Sequence, residues 1–277
     1  MPQNGYSLRM APADPIARWW GQEAACPVVA VAIHAGHALR DEVADLTAVP
    51  AARRFREEDS GTDEWAMCFP TRLVAGRSRF EIDLNRPRDS AVYGQAEDCW
   101  DVEPWHRPLP PDAVQRSLQV YDACYAVLAG ILDRTQDLFG RFVVYDLHSY
   151  NYRRGGPTAP PGDPADHPDV NVGTGSMDRA RWGPLVDRFM ADLGSVKMPN
   201  TDGPLDVREN VNFRGRELAR WVHTRYPETG CALAIEVKKF FMDEHTGQVD
   251  CELSDAVGDA LARTVPGVID VLDQRTP

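Results

Sequence analysis

The chain has 277 residues and carries 42 acidic against 30 basic side chains, a formal net charge of −12, which argues against a nucleic-acid backbone as partner, since that normally requires a basic face. Hydrophobic residues at 43% and charged residues at 26% exclude wholesale disorder and fibrous repeats, and the length suits one α/β domain over residues 1–277. No stretch approaches the roughly 18 apolar residues of a membrane span, and the N-terminal MPQNGYSLRMAPADP has no signal-peptide centre, so a cytoplasmic protein with no nucleic-acid or membrane partner is expected.

Residues 1–25 mix Pro, Gly and Trp with no clean period and read as an irregular cap. The β-branched run Val28 to Ile33 reads as a buried strand. It opens into His34-Ala-Gly-His37, where small residues allow a tight turn that brings both imidazoles to one point. Leu39 to Leu46 reads as a short helix. Residues 51–65 are dense in charge and read first as a solvated face, although Glu57, Glu58, Asp59 and Asp63 are also the nearest carboxylate cluster downstream of the histidine pair. Arg79 to Arg86 alternates as a strand does, and Pro87 helps to stop it. Residues 91–110, with Trp100 and Trp105 among several prolines, read as an ordered loop. Pro111 then opens a long amphipathic helix running to about Leu138. Phe142 to Leu147 reads as a buried central strand. Residues 151–176 are rich in Gly, Pro and Asn, and a loop of that length is more often a functional lid than a spacer. Its GTGS run lacks the Gly-Lys-Ser/Thr of a phosphate loop and reads as a turn. There follow a helix from Met177 to Leu193, an edge strand from Val207 to Phe213, a helix from Glu217 to Tyr226, a strand from Ala232 to Phe240 and a closing helix from Leu253 to Leu272. Cys26, Cys68, Cys99, Cys124, Cys231 and Cys251 are scattered and read as reduced thiols.

Three apolar strands end on groups that bind a metal or move a proton: His34, His148 and Glu236. In open α/β sheets such strand ends deliver their side chains to one shared site. A metal site for hydrolysis takes three N or O ligands and leaves a position for water. His34, His37 and His148 supply three imidazoles, and Glu58 can replace one of them. A histidine pair three residues apart is, by itself, more often ordinary than ligating; the shared strand-end position is what singles these out. Asp146, two residues before His148, points to the same face and can anchor that imidazole, the alternative being an ion pair with an arginine. Glu236 lies between Ile235 and Val237, where burial raises its pKa and suits it to general-base work; its bland alternative is a structural pair with Lys238 or an Arg. Arg79, Asn85 and Arg86 form a donor cluster for an anionic oxygen or carboxylate, whereas Arg77 and Arg88 read as surface charges. His106, His167, His223 and His245 lack strand-end context and read as surface residues. Trp100, Trp105, Tyr150 and Tyr152 suggest a pocket suited to a bulky substrate.

The runs VVAVAIHAGH, SRFEIDLNRPRD and YDLHSYN, in that order across residues 27–152, resemble the motifs of the N-formylglutamate amidohydrolase family, and AIEVKKFFMDE matches more loosely beyond them. The resemblance implies a zinc (Zn2+) hydrolase with the fold of the zinc carboxypeptidase group, an α/β three-layer sandwich whose mixed, mostly parallel central sheet is flanked by helices. It implies His34 and His148 as metal ligands, Glu236 as base, Arg79 at the oxyanion, and Asn85 and Arg86 on a substrate carboxylate. Residue 37 is His where the wider group has the Glu of His-x-x-Glu, so the second ligand is open between His37 and Glu58. The expected function is hydrolysis of an amide by metal-activated water, the substrate being an N-acyl amino acid or a related small molecule or peptide with a carboxylate. The alternatives are a metallocarboxypeptidase or deacylase acting on a modified peptide, and a catalytically silent carboxylate-binding member.

Overall fold

The computed structural model describes residues 5–9, 15–20 and 26–274, the first two stretches as backbone alone. Its centre is an eight-stranded mixed sheet built from β1 (Gly5–Arg9), β2 (Pro15–Trp20), β3 (Val28–Ala32), β4 (Arg72–Ala75), β5 (Phe142–Tyr150), β6 (Val170–Gly173), β7 (Val207–Glu209) and β8 (Gly230–Lys238), in the order β1-β2-β4-β3-β5-β8-β6-β7. The four strands β4, β3, β5 and β8 are parallel. On one side β2 joins β4 antiparallel; on the other β6 joins β8 antiparallel and carries β7 parallel to itself.

Strand alternation sorts the apolar residues into two layers. Val28, Ala30, Ala32, Val143, Tyr145 and Leu147 face one way, into a core completed by α5 (Arg179–Gly194), α7 (Cys251–Arg263) and α8 (Val265–Asp273) through Trp182, Phe189, Leu261 and Val268. Val29, Val31, Ile33, Val144 and Ala232 face the other way, against α4 (Pro111–Phe139) and α6 (Glu217–Arg225) through Leu128, Leu132 and Leu218. A sheet buried on both faces is the three-layer α/β arrangement. No helix among the described residues is long and apolar enough to cross a membrane. The six cysteines are unbonded.

Several local expectations change. Of the first 25 residues the described stretches are two paired strands, β1 and β2, whose backbones extend the sheet edge at β4 without needing a side-chain period; the rest of the expected cap lies outside the described residues. Residues 51–65 are not a solvated face. They form α2 (Ala51–Glu57) and α3 (Thr62–Ala66), and Glu57, Glu58 and Asp59 are buried. Residues 79–86 are a chain of turns, with Glu81 and Asp83 as buried as Phe80, Ile82 and Leu84, so the alternation has no solvent face to mark a strand. The amides of Glu81 and Ile82 return to Ser78 O, closing the first turn. Arg77 is buried beside Glu81, whereas Arg88 is exposed and paired with Asp122. The segment 151–176 includes β6, held by its ladder to β8. The closing helix is two helices, because Pro266 cannot extend the ladder of α7; buried Thr264 at the break donates to Leu261 O at 2.7 Å.

The core on the α5 face is closely packed, with the Phe189 ring 5.1 Å from that of Tyr145 and fully buried. Phe189→Ala is expected to lower the free energy of unfolding by about 3–5 kcal/mol, read as a lower denaturant midpoint at unchanged slope.

Candidate active site

The site forms where the parallel strands end. His34 follows β3, Asp146 and His148 lie on β5, and Glu236 on β8 stands directly opposite His148 in the β5–β8 register. The fourth contributor comes from the end of α2, where the chain unwinds at Glu58 into extended backbone and the Asp59 amide donates to His34 O at 3.0 Å. A helix end leaves carbonyls without intrahelical partners. Buried Lys239 Nζ takes up two of them, Arg56 O at 2.6 Å and Glu58 O at 2.8 Å, and so holds the turn that delivers Asp59. Gly36 lets the histidine loop lie against residues 76–77, since a Cβ there would stand 2.4 Å from Gly76 C.

His34, Asp59 and His148 are buried, and each offers one ligand atom within 4.8 Å of the others. Oδ2 of Asp59 is 3.4 Å from His34 Nδ1 and 2.8 Å from His148 Nδ1. Ligand atoms around one tetrahedral zinc-sized ion lie about 3.3–3.5 Å apart, given bond lengths near 2.0–2.2 Å. The His34–Asp59 separation is that of two ligands on one small cation, whereas the His148–Asp59 contact is a hydrogen bond that an ion held by the two inner imidazole nitrogens and the carboxylate oxygen would open by about half an ångström. The outer nitrogens have carboxylate support: His34 Nε2 is 2.7 Å from Asp83 Oδ1, and His148 Nε2 is 2.8 Å from Asp146 Oδ1. That second contact lacks hydrogen-bond alignment, and His148 Nε2 is also 3.3 Å from Asn85 Nδ2. Buried Asp146 is therefore held by its ion pair with His148 while neither of its oxygens makes an aligned hydrogen bond, an arrangement that added positive charge beside His148 would stabilise.

Charge shapes the rest. Burial pushes the Asp59 carboxyl up, but hydrogen bonds from His148 and His34 outweigh it and hold the group below the usual carboxylate range. Burial opposes the charged form of His148, while Asp146 and Glu236 drive its pKa well above the ordinary imidazole value. Glu236 is pushed up to about 7 by burial, with His148 opposing and Asp59 and Asp146 adding to the rise. Arg79 is held firmly protonated against burial by Tyr93, Asp83 and Asp59.

The structure brings some of the sequence-derived candidates together and separates others. His34, His148 and Glu236 line one cavity of about 310 Å³ with Arg79, Asn85 and Arg86. His37 and Glu58 instead bond to each other, and the second Glu58 oxygen accepts from Ser78, so neither faces the cavity. Asp59, named in the sequence only as one of four neighbouring carboxylates, takes the place between the imidazoles; nothing in the charge run distinguishes it from Glu58. Arg79 donates to Asp83 at 3.1 Å and lies over the Trp100 ring. Asn85 is engaged on both ends, its Oδ1 accepting from Leu218 N at the start of α6. Arg86 reaches Asp98 at 3.2 Å. Of the four aromatic candidates Trp100 and Tyr150 line the cavity, while Trp105 packs with Val43 and Leu46, and Tyr152 carries Lys238 over its ring.

Compared with known families, residues 26–242 match the model for N-formylglutamate amidohydrolase. The chain belongs to the N-formylglutamate amidohydrolase family. All the residues of the site just described fall inside the matched span. The fold is similar to that of an N-formylglutamate amidohydrolase from Ralstonia eutropha JMP134, with TM-score 0.71 at 19% identity over 92% of this chain and 97% of that one. It is also similar to a gene product of Agrobacterium tumefaciens, with TM-score 0.64 at 17% identity over 90% and 93% of the two chains. A comparison with curated proteins found no match. This amidohydrolase-family member thus carries a buried His-Asp-His group able to hold a metal ion at the floor of its cavity.

Metal analysis by elemental mass spectrometry checks the donor set. His34→Ala, Asp59→Ala and His148→Ala are each expected to lose bound metal, while His37→Ala retains it; Asp83→Asn, which loosens the support of His34, weakens metal affinity by about 10–100-fold.

Proposed function

We propose that the protein is a zinc-dependent hydrolase that cleaves the amide of an N-acyl amino acid or a related amide bearing a carboxylate. The observation that carries this reading is the convergence of His34, Asp59 and His148 beside Glu236 at the floor of one cavity. Two imidazole nitrogens and a carboxylate oxygen are a donor set suited to catalytic zinc, which when bound supplies Lewis-acid polarisation of the amide carbonyl and acidifies water.

The chain's own groups have separate tasks. Asp83 accepts from His34 Nε2, which fixes the tautomer and leaves the Nδ1 lone pair facing inward. Asn85 lines the cavity, where its expected place is on a substrate carboxylate, and it also steadies His148 and the start of α6. Glu236, with a pKa near 7, can both accept and return a proton in the neutral range. It takes one proton from the attacking water and gives it to the leaving amine nitrogen, so that the acyl portion departs as an acid and the remainder as an amine. Arg79 lines the cavity 3.9 Å from Asp59 and supplies positive charge where the carbonyl oxygen becomes negative. Arg86 lines the cavity with its guanidinium set between Asp83 and Asp98, and contributes positive charge toward a substrate carboxylate.

The base assignment is tested with Glu236→Gln. Its turnover of N-acyl amino acids is expected to fall by about 10²–10⁴-fold while metal content stays at the wild-type level. Chelation is expected to abolish wild-type turnover and added zinc to restore it; amide hydrolysis that survives both treatments undiminished rejects the proposal.

A further inference from the structure

The loop 211–216, between β7 and α6, forms one wall of the cavity through Phe213 and Arg216. Backbone packing sets its position. Asn171, fully buried on β6 and opposite Glu236 in the β6–β8 register, accepts from Val211 N at 2.8 Å and Asn212 N at 3.0 Å and donates to Phe213 O at 2.7 Å. Gly175 N donates to Arg214 O at 2.7 Å. At Gly173 a Cβ would stand 2.4 Å from Gly215 N, so only glycine lets the loop lie backbone on backbone against the end of β6.

Past Arg216 the cavity continues into a second groove of about 540 Å³, which shares Asn85, Arg86 and Arg216 with it. In a chain of net charge −12 this groove is lined by Arg86, Arg214, Arg216 and Arg220 against a single carboxylate, Glu217. Glu217 is engaged by Arg220 at 3.0 Å. The other arginines of the catalytic cavity also face acids: Arg79 faces Asp83, Arg86 faces Asp98, and Arg154 faces Glu57. Arg214 and Arg216 are exposed and, among the described residues, have no ion pair. Single exposed arginines are ordinary surface groups. Two of them without acids, on a loop anchored to the catalytic strands and flanking a groove that opens into the cavity, are placed to receive an anion.

We propose that Arg214 and Arg216 form an anion subsite for a carboxylate on the leaving portion of the substrate, beyond the residue whose amide is cleaved. The favoured substrate is then an N-acylated acidic dipeptide or longer acidic peptide rather than an N-acylated single amino acid. This inference rests on the amidohydrolase reading. Hydrolysis adds water across the acyl amide, the acyl group leaves as its acid, and the acidic peptide remains in the groove as a free amine.

The test compares the zinc-loaded full chain with R214A/R216A and R214K/R216K, using N-formyl-alanyl-glutamate and the same compound with both carboxylates amidated. Wild type is expected to favour the acid by tenfold or more in kcat/KM, chiefly through KM. The alanine pair is expected to remove that preference and the lysine pair to keep part of it. Calorimetric titration with the peptide alanyl-glutamate reads the subsite without turnover and is expected to show at least tenfold weaker binding to the alanine pair. Equal loss for the acid and its amide, or unchanged alanyl-glutamate affinity in the alanine pair, overturns the subsite. If wild type hydrolyses neither compound the amidohydrolase reading suffers, while the titration still decides whether the arginines bind the acid.

Discussion

A single oxygen, Oδ2 of Asp59, faces the inner nitrogens of two buried imidazoles, and much of the surrounding structure serves to hold those three groups together. Buried charge is tolerated only where it is paired and hydrogen-bonded. The pairing here extends outward, to Asp83 behind His34 and Asp146 behind His148, and then to Tyr93, whose hydroxyl donates to Asp83 at 2.6 Å. Each shell restrains the one inside it. Asp146 is the least satisfied member of the set, paired by charge with His148 but without an aligned hydrogen bond to either oxygen.

The sheet explains why the site stands where it does. One face of β5 is apolar from Val143 through Tyr145 to Leu147 and turns polar only at Ser149. On the opposite face the apolar series of Phe142 and Val144 gives way to Asp146 and His148 as the strand passes beyond the helices that cover it. Parallel neighbours end at the same level, so β3 and β8 bring His34 and Glu236 to that edge as well. The register of the sheet is therefore also the register of the chemistry: Glu236 acquires its raised pKa because it lies deep in protein near two other carboxylates, with His148 across the ladder.

The walls of the cavity are held by buried polar anchors rather than by regular structure. Glu244 accepts from Arg56 at 2.6 Å and from the amides of Tyr152 and Arg153 at 2.8 and 3.1 Å, which ties the start of the loop after β5 to the end of α2. Asn171 does the same for the loop before α6. Such anchors give loop-borne side chains a fixed direction, and charge-assisted bonds like those of Glu244 are the stronger kind.

Sequence alone determined the elements whose signal is local. The runs at β3, β5 and β8, the long helix α4, and the placing of His34, His148 and Glu236 near strand ends could be read from apolar periodicity, because burial on both faces selects β-branched runs and polar residues stand out against them. Only the tertiary structure decided which of three consecutive acids in Glu57-Glu58-Asp59 meets the imidazoles, since that choice depends on where α2 unwinds and on Lys239, 180 positions beyond Asp59 in the chain. The same holds for residues 79–86, where an alternating pattern folds as turns because both of its faces are buried, and for Asn85, whose partners come from β5 and α6. Periodicity reports how a segment meets solvent; it carries no record of which distant group will stand against a given carboxylate.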